Sequence, residues 1–302
     1  VSHGAGRESA PDRAAREVDV VEIVRRVQAM REVSHQTRGR KLKIGFVPTM
    51  GSLHEGHLTL IRRVKERTDV VVVSIFVNPA QFGPGEDFES YPRDLTRDAD
   101  LCVAEGVDYL FAPEMKEIYA DGSATYVEVA GLSDRLEGKS RPGHFRGVTT
   151  VVLKLCEVVR PNIAAFGQKD AQQAVIVRRM VTDLLLDVEI LVLPIARDEQ
   201  GVALSSRNAY LSPEEYGAAQ AIPRALEAAR HVVAEGQTVP EEVLLAAREV
   251  LEAEELLRVD YLELVDPQSL DPLSVVDREA LLLLAVHCGS TRLLDNELLT
   301  PA

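Results

Sequence analysis

The chain is short of cysteine, of long apolar runs and of positive charge, and each shortage removes a class of function. Only Cys102, Cys156 and Cys288 occur among 302 residues, widely spaced and with no Cys-x-x-Cys pair. A disulfide framework or a thiolate metal site asks for more cysteines, so buried thiols in a reducing compartment are expected. No apolar run reaches the roughly 20 residues of a membrane-crossing helix, and residues 1–16 hold no signal-type apolar segment. Lysine and arginine number 34 against 48 acidic residues, a net charge of −14. Such a surface does not gather DNA, RNA or anionic lipid, so any phosphate site must be a local concentration of positive groups. No Gly-x-Ser-x-Gly elbow or Cys–His signature marks a covalent nucleophile, and no internal repeat is visible. A soluble, cytoplasmic protein without nucleic-acid or membrane partners is expected.

What is present organises itself around residues 45–57, Gly-Phe-Val-Pro-Thr-Met-Gly-Ser-Leu-His-Glu-Gly-His. An apolar run from Leu42 to Val47 has strand length, and after His57 the residues Leu58, Leu60, Ile61 and Val64 recur at helical spacing. The segment therefore reads as strand, glycine-containing loop and helix. Gly51 and Gly56 allow close backbone approach, and the new helix points unpaired N–H groups at whatever sits there, most often phosphate. His54 and His57, three apart, share a face and add donors. A zinc helix would need histidines four apart in His-Glu-x-x-His, which this is not. An ordinary strand-to-helix turn with exposed histidines is the bland alternative.

Along the rest of the chain, residues 1–16 read as a loose tail, Val18–Val33 as an amphipathic helix and Ser34–Arg40 as a polar link. Val70–Val77 is a β-branched run suited to a central parallel strand. The loop after it, Asn78-Pro-Ala-Gln81 onward, lies where open α/β sheets hold ligands; Asn78 and Gln81 can read hydroxyls and carboxylates. Arg93–Gly106 reads as helix, Val107–Phe111 and Thr125–Val129 as strands, and Gly131–Gly147 as a mobile, lid-like segment in which His144 and Arg146 are minor site candidates. Val148–Val159 reads as helix, Ile163–Phe166 and Val188–Leu193 as strands. Gly167-Gln168-Lys169-Asp170 turns into a helix carrying Gln172 and Gln173; Lys169 can reach a phosphate and Asp170 can cap the helix. Leu204-Ser205-Ser206-Arg207 sets two hydroxyls and a guanidinium side by side. Alone that string is ordinary turn composition. Ala/Glu/Leu-rich helices over Pro213–Ala234 and Val239–Leu257 precede strands at Val259–Val265, Leu281–Val286 and Arg292–Leu298, which indicates a small α+β domain. The boundary falls near residue 196.

Pro-Thr-Met-Gly-Ser-Leu-His-Glu-Gly-His, Phe-Val-Asn-Pro-Ala-Gln-Phe, Gly-Gln-Lys-Asp-Ala-Gln-Gln and Leu-Ser-Ser-Arg-Asn occur in that order, with Thr291-Arg-Leu-Leu-Asp-Asn near the end. The series resembles the pantothenate synthetase (pantoate–β-alanine ligase) family of the nucleotidyltransferase superfamily, from about residue 18 onward. The resemblance implies an α/β fold: a Rossmann-like parallel sheet with helices on both faces (17–195), plus a smaller α+β C-terminal lid domain (196–302). It implies a homodimer that joins (R)-pantoate to β-alanine through a pantoyl-adenylate, consuming ATP with Mg2+. Carried over, Met50, Gly51, Ser52, Leu53, His54, Glu55, Gly56 and His57 line the ATP site with His57 as the key catalytic group. Gly167, Gln168, Lys169 and Asp170 hold ribose and phosphate, Ala196 meets adenine, and Leu204, Ser205, Ser206 and Arg207 close over the phosphates. His54, Lys169, Ser205, Ser206 and Arg207 share the catalytic role. Gln81 binds pantoate and then β-alanine, and Gln173 binds pantoate. Glu86, Asp87 and Asp98 are only candidate metal ligands and read first as solvated surface acids, so the metal ligands stay unassigned.

Three positions depart from the family pattern. Ala80 stands for Met, Gln168 for Glu and Ala171 for a larger side chain. Three other activities compete: a nucleotidyltransferase making a dinucleotide, a regulator that binds ATP without turnover, and an aminoacyl-tRNA synthetase. The amide-lined loops at Gln81 and Gln173 argue against the first. The acidic charge argues against the third.

Overall fold

The computed structural model describes residues 20–301. The predicted tail over residues 1–16 and the start of the predicted first helix lie outside them. Two sheets organise the chain. The larger is built from β1 (Glu22–Val24), β2 (Ile44–Thr49), β3 (Val70–Ile75), β4 (Tyr109–Phe111), β5 (Ile163–Gly167) and β6 (Glu189–Leu193). All its pairings are parallel, in the order β1-β4-β3-β2-β5-β6. Helices α1 (Val27–Gly39), α2 (Glu55–Lys65), α3 (Leu95–Ala104), α6 (His144–Val159) and α7 (Ala171–Asp183) cover it, with α4 (Met115–Ile118) and α5 (Glu137–Ser140) as single turns between α3 and α6. Val71 and Val73 pack with Leu58 and Ile61 of α2 on one face. Val70 and Val72 pack with Val148 and Val152 of α6 on the other. Burial on both faces accounts for the uninterrupted Val-Val-Val-Val of β3.

The order reverses at β2. From β2 the chain steps outward to β3 and β4, then returns to place β5 on the opposite side of β2. The β2–β5 ladder ends early, at Phe46 and Ala164, although β2 runs with β3 to Thr49–Ile75 and β5 with β6 to Gly167–Leu193. The sheet thus parts between its two central strands at their carboxyl ends, where doubly wound sheets place ligands. Pro48 lies in the parted stretch, where its missing N–H costs no bond to β5.

The second sheet is antiparallel, β7 (Leu257–Val265), β8 (Ala280–Cys288) and β9 (Thr291–Leu299), and packs against α8 (Pro213–Ala219), α9 (Ala221–Ala234) and α10 (Pro240–Glu252). In β8, Leu282, Leu284 and Val286 join the helices' core. Leu281 and Leu283, on the opposite face, pack against Ala171 at the start of α7. Alternation along the strand therefore gives each sheet face its own cover.

Three local expectations need correction. The predicted Val18–Val33 helix begins with edge strand β1, because Val24 O accepts the Ala112 N–H beside β4 (2.9 Å); Val20 is 76% exposed while Val21 and Val24 are buried. The predicted polar link Ser34–Arg40 is mostly helix. Ser34 and Thr37 are buried and donate their hydroxyls to Met30 O and Val33 O (2.9 Å each), so these polar side chains are satisfied inside α1 and do not compete with its backbone bonds. Thr125–Val129 is not a strand: Val127 donates its N–H to Thr150 Oγ1 (2.9 Å) and its carbonyl accepts from Thr149 Oγ1 (2.6 Å), so α6 supplies the partners that a ladder would. Cys102, Cys156 and Cys288 are free and buried, as expected. Among the described residues no helix is long and apolar enough to cross a membrane.

Candidate active site

A cavity of about 280 Å³ opens at the parted strands, lined from the β2, β3 and β5 exits, the 194–208 segment and β9. Its floor is the turn from β2 into α2. Gly51 (φ 86°) and Ser52 (φ 51°) take left-handed backbone conformations there. Asp98 of α3, 1% exposed, holds the turn by accepting the N–H groups of Ser52 and Leu53, both at 2.8 Å. His54 is the N-cap of α2. Its Nδ1 accepts the Gly56 N–H (3.2 Å), and His57 Nδ1 accepts the His54 N–H (3.3 Å). A Cβ on Gly56 would lie 2.9 Å from His54 Cε1, so glycine is what lets the ring fold over the helix start.

These caps fix the chemistry of both rings. An Nδ1 that accepts carries no proton, so in a neutral ring the proton sits on Nε2. Burial first, then Lys169, lowers the His54 pKa to about 4. Burial, then His54 and Lys169, lowers that of His57 to about 3. Two neutral imidazoles, centroids 4.2 Å apart, therefore line the cavity with Nε2–H as the polar group not used by the helix. An unfolded chain protonates both near pH 6.5. Between about 6.5 and 4 the unfolded state takes up protons that the folded state refuses, so stability should fall with pH, by up to about 1.4 kcal/mol per unit for each histidine. Denaturant unfolding at pH 7 and 5 should show a smaller loss for His57→Asn than for the unsubstituted chain.

The facing wall carries Lys169 and Asp170 from the β5–α7 turn and Ser205, Ser206 and Arg207 from the segment after β6. Leu204 N donates to Ala196 O (2.9 Å), so the two stretches rise together. Arg207 is paired with Asp87 (Nη2–Oδ1 2.9 Å). The β3 exit forms the third wall. Tyr119 donates its hydroxyl to Asn78 Oδ1 (2.8 Å), and Asn78 Nδ2 donates to Gln81 Oε1 (3.0 Å) and Gly147 O (3.1 Å). Burial pushes the Tyr119 hydroxyl up to about 12, so it stays a donor. This chain of bonds orients Gln81 with its Nε2 hydrogens outward, against only the weak acceptor Met50 Sδ (3.2 Å). His144 Nδ1 meets Gln81 O (2.8 Å), and since a carbonyl only accepts, Nδ1 bears the proton; Nε2 then accepts from Arg141 (3.2 Å). His144 thus holds the tautomer opposite to that of His54 and His57.

The pantoate-beta-alanine ligase model matches residues 22–298. The chain belongs to the pantoate-beta-alanine ligase family. It is 48% identical over 279 residues to a pantothenate synthetase of Thermotoga petrophila, spanning 92% of this chain and all of that one. A crystal structure of pantothenate synthetase from Thermus thermophilus is similar with a TM-score of 0.88, at 47% identity over 93% of this chain and 100% of that one. A pantoate-beta-alanine ligase structure from Francisella tularensis, complexed with beta-gamma ATP and beta-alanine, is similar with a TM-score of 0.77, at 35% identity over 92% and 97%. The family is one of ligases that form an amide bond, and its fold is the pair of sheets described above.

Most residues that the ligase resemblance marks do meet in the cavity: Met50, His54, Gly56 and His57 on the floor, Gln81 and Gln173 towards β3 and α7, and Gly167, Lys169, Asp170, Ala196 and Leu204–Arg207 opposite. Others do not line it. Ser52 and Leu53 are turned away from it onto Asp98, and Gly51 gives its N–H to Thr49 Oγ1 (3.1 Å). Glu55 pairs with Arg62 on the outer surface of α2. Gln168 turns to Asn296, and Arg146 stacks on Tyr126 (5.0 Å). Of the departures from the family pattern, Ala171 borders the cavity but Ala80 does not.

Gly131–Gly147, expected as a loose lid, is packed: Glu137 is 6% exposed and bonded to Arg292 of β9 at 2.6 and 2.7 Å. Gln172 anchors it, accepting from Glu137 N and donating to Leu132 O and Arg135 O, while its neighbour Gln173 faces the cavity. The sequence marks no role for Tyr119, Arg141 or Asn296, because each acts through a partner far along the chain: Asn78, Glu86 and Gln168. Among the described residues no group of three His, Cys, Asp or Glu is placed to hold a metal ion. Glu86 and Asp87 are paired with Arg141 and Arg207, and Asp98 is spent on backbone. That donor set offers no cage of its own and suits a cation carried on phosphate oxygens and water.

Proposed function

We propose that this cavity makes pantothenate from ATP, (R)-pantoate and β-alanine. A pantoate carboxylate oxygen attacks the α-phosphorus, the bond to the β-phosphate breaks, and diphosphate leaves. The β-alanine amine then attacks the adenylate carbonyl, AMP departs, and the amine loses a proton. The observation that carries the reading is the pair of buried, neutral imidazoles whose Nδ1 atoms are occupied by the start of α2. They leave two fixed Nε2–H donors facing Lys169, Ser205, Ser206 and Arg207 across one cleft. Such donors cost no reorganisation when charge moves onto the departing diphosphate. Gln81, its amide oriented by Asn78, donates to pantoate and later to β-alanine, with Gln173 beside pantoate. The ATP- and pantoate-binding part is assigned to residues 17–195 and the lid to 196–302. Mg2+ is assigned to the phosphates of ATP. The homodimer and the cytoplasmic location rest on the resemblance and on the composition.

The test is diphosphate release from ATP and Mg2+ with pantoate, first without and then with β-alanine. Release limited to the amount of enzyme, then turnover to AMP and an amide once β-alanine is added, is expected. Release that ignores pantoate would overturn the reading.

A further inference from the structure

We infer that Asn296, on strand β9 of the C-terminal sheet, is a positioning residue that sets Lys169 for the phosphates of ATP. This rests on the function proposed above. Asn296 is 1% exposed and does not line the cavity. Its Nδ2 donates to Gln168 O (2.9 Å) and Lys169 O (3.0 Å), and its Oδ1 accepts from Gln168 Nε2 (3.1 Å). Both amide hydrogens and the amide oxygen are therefore engaged, which fixes the orientation of the group. The carbonyls it holds belong to the turn between β5 and α7.

The residue before it does the same for the other nucleotide-side loop. Asp295 grips Arg197 through both carboxylate oxygens (2.6 and 2.9 Å), and Arg197 in turn donates to Gly201 O (3.0 Å). Arg197 follows Ala196, whose carbonyl accepts from Leu204 N. Asp295 Oδ1 also accepts the Asn296 N–H (2.8 Å), tying the two side chains together. Adjacent residues of one strand thus pin the loop that carries Lys169 and the loop that leads to Ser205, Ser206 and Arg207. The two phosphate-side groups are set by the C-terminal sheet, not by the parallel sheet alone. Any displacement of β9 moves Lys169 with it.

The test compares Asn296→Ala with the isosteric Asn296→Asp. Asn296→Asp keeps the size and the Gln168 bond but loses both donors to the carbonyls. Pantoate-dependent ATP–diphosphate exchange should lose at least tenfold in kcat/KM for ATP in both Asn296 variants, with the KM for pantoate within twofold of the starting enzyme. In a Lys169→Ala background, ATP affinity measured by calorimetry should no longer respond to Asn296→Asp, because residues acting through one another are not additive. A lowered melting temperature with unchanged exchange constants, or full additivity with Lys169→Ala, would overturn the inference while the unsubstituted chain still exchanges. Absence of exchange in the unsubstituted chain would instead overturn the function on which it rests.

Discussion

Replacing His57 by alanine is expected to slow pantoyl-adenylate formation by about a hundredfold or more, the loss of about 3 kcal/mol associated with one preorganised donor in a site that excludes water. His57 does two things that can be separated. Its Nε2–H is offered to the cleft, and its Nδ1 accepts the His54 N–H at the start of α2 (3.3 Å). Alanine removes both, and the lost cap alone costs about 1 kcal/mol of stability. Asparagine places its amide oxygen near the Nδ1 position, so His57→Asn should unfold close to the unsubstituted chain yet adenylate as slowly as the alanine variant. Step-resolved kinetics sharpen this. Reaction of preformed pantoyl-adenylate with β-alanine involves no departing diphosphate and should suffer less than exchange of ATP with diphosphate. Near-normal exchange in His57→Asn would remove the ring from the chemistry and leave it as a cap.

The parts of this site that were legible in the sequence are those where backbone demands restrict residue type. Gly51 and Gly56 flag the β2–α2 turn, and the β-branched run of β3 flags a buried strand, so the loops at the carboxyl ends could be found in order. What was not legible depends on side chains that meet across long sequence distances. Asp98 read as a surface acid because a carboxylate between Arg97 and Ala99 on an amphipathic helix carries no local mark; only the fold brings it under Ser52 and Leu53. Glu137 read as part of a mobile charged segment, and its burial follows from Arg292, far along the chain in β9. The Val18–Val33 pattern misled in another way. Apolar residues at helical spacing were there, but the unpaired edge of β4 competed for the same segment and took Glu22–Val24 as a strand.

Asp98 carries the second large effect, because the floor of the cavity hangs from it. Burial holds its carboxyl above the usual range, against the pull of the Leu53 and Ser52 N–H groups. Removing the carboxylate relieves the cost of a buried charge but leaves two buried N–H groups without an acceptor, at about 1–3 kcal/mol each. The second term is larger, so Asp98→Ala should lower stability by about 2–4 kcal/mol. Activity should fall further than stability predicts. Ser52 and Gly51 sit at positive φ, a conformation the turn gives up readily once its two anchors are gone, and Met50 and His54 flank that turn. An exchange rate ten- to a hundredfold below normal is expected under conditions where the variant remains folded. Asp98→Asn supplies the contrast. Its amide has one oxygen and one NH2, so whichever way it turns, one backbone N–H is satisfied and the other faces a donor. Its stability and exchange rate should therefore fall between those of the alanine variant and the unsubstituted chain. If Asp98→Asn matches the unsubstituted chain in exchange, the turn holds its shape on one anchor, and the second carboxylate oxygen plays no part in setting the floor.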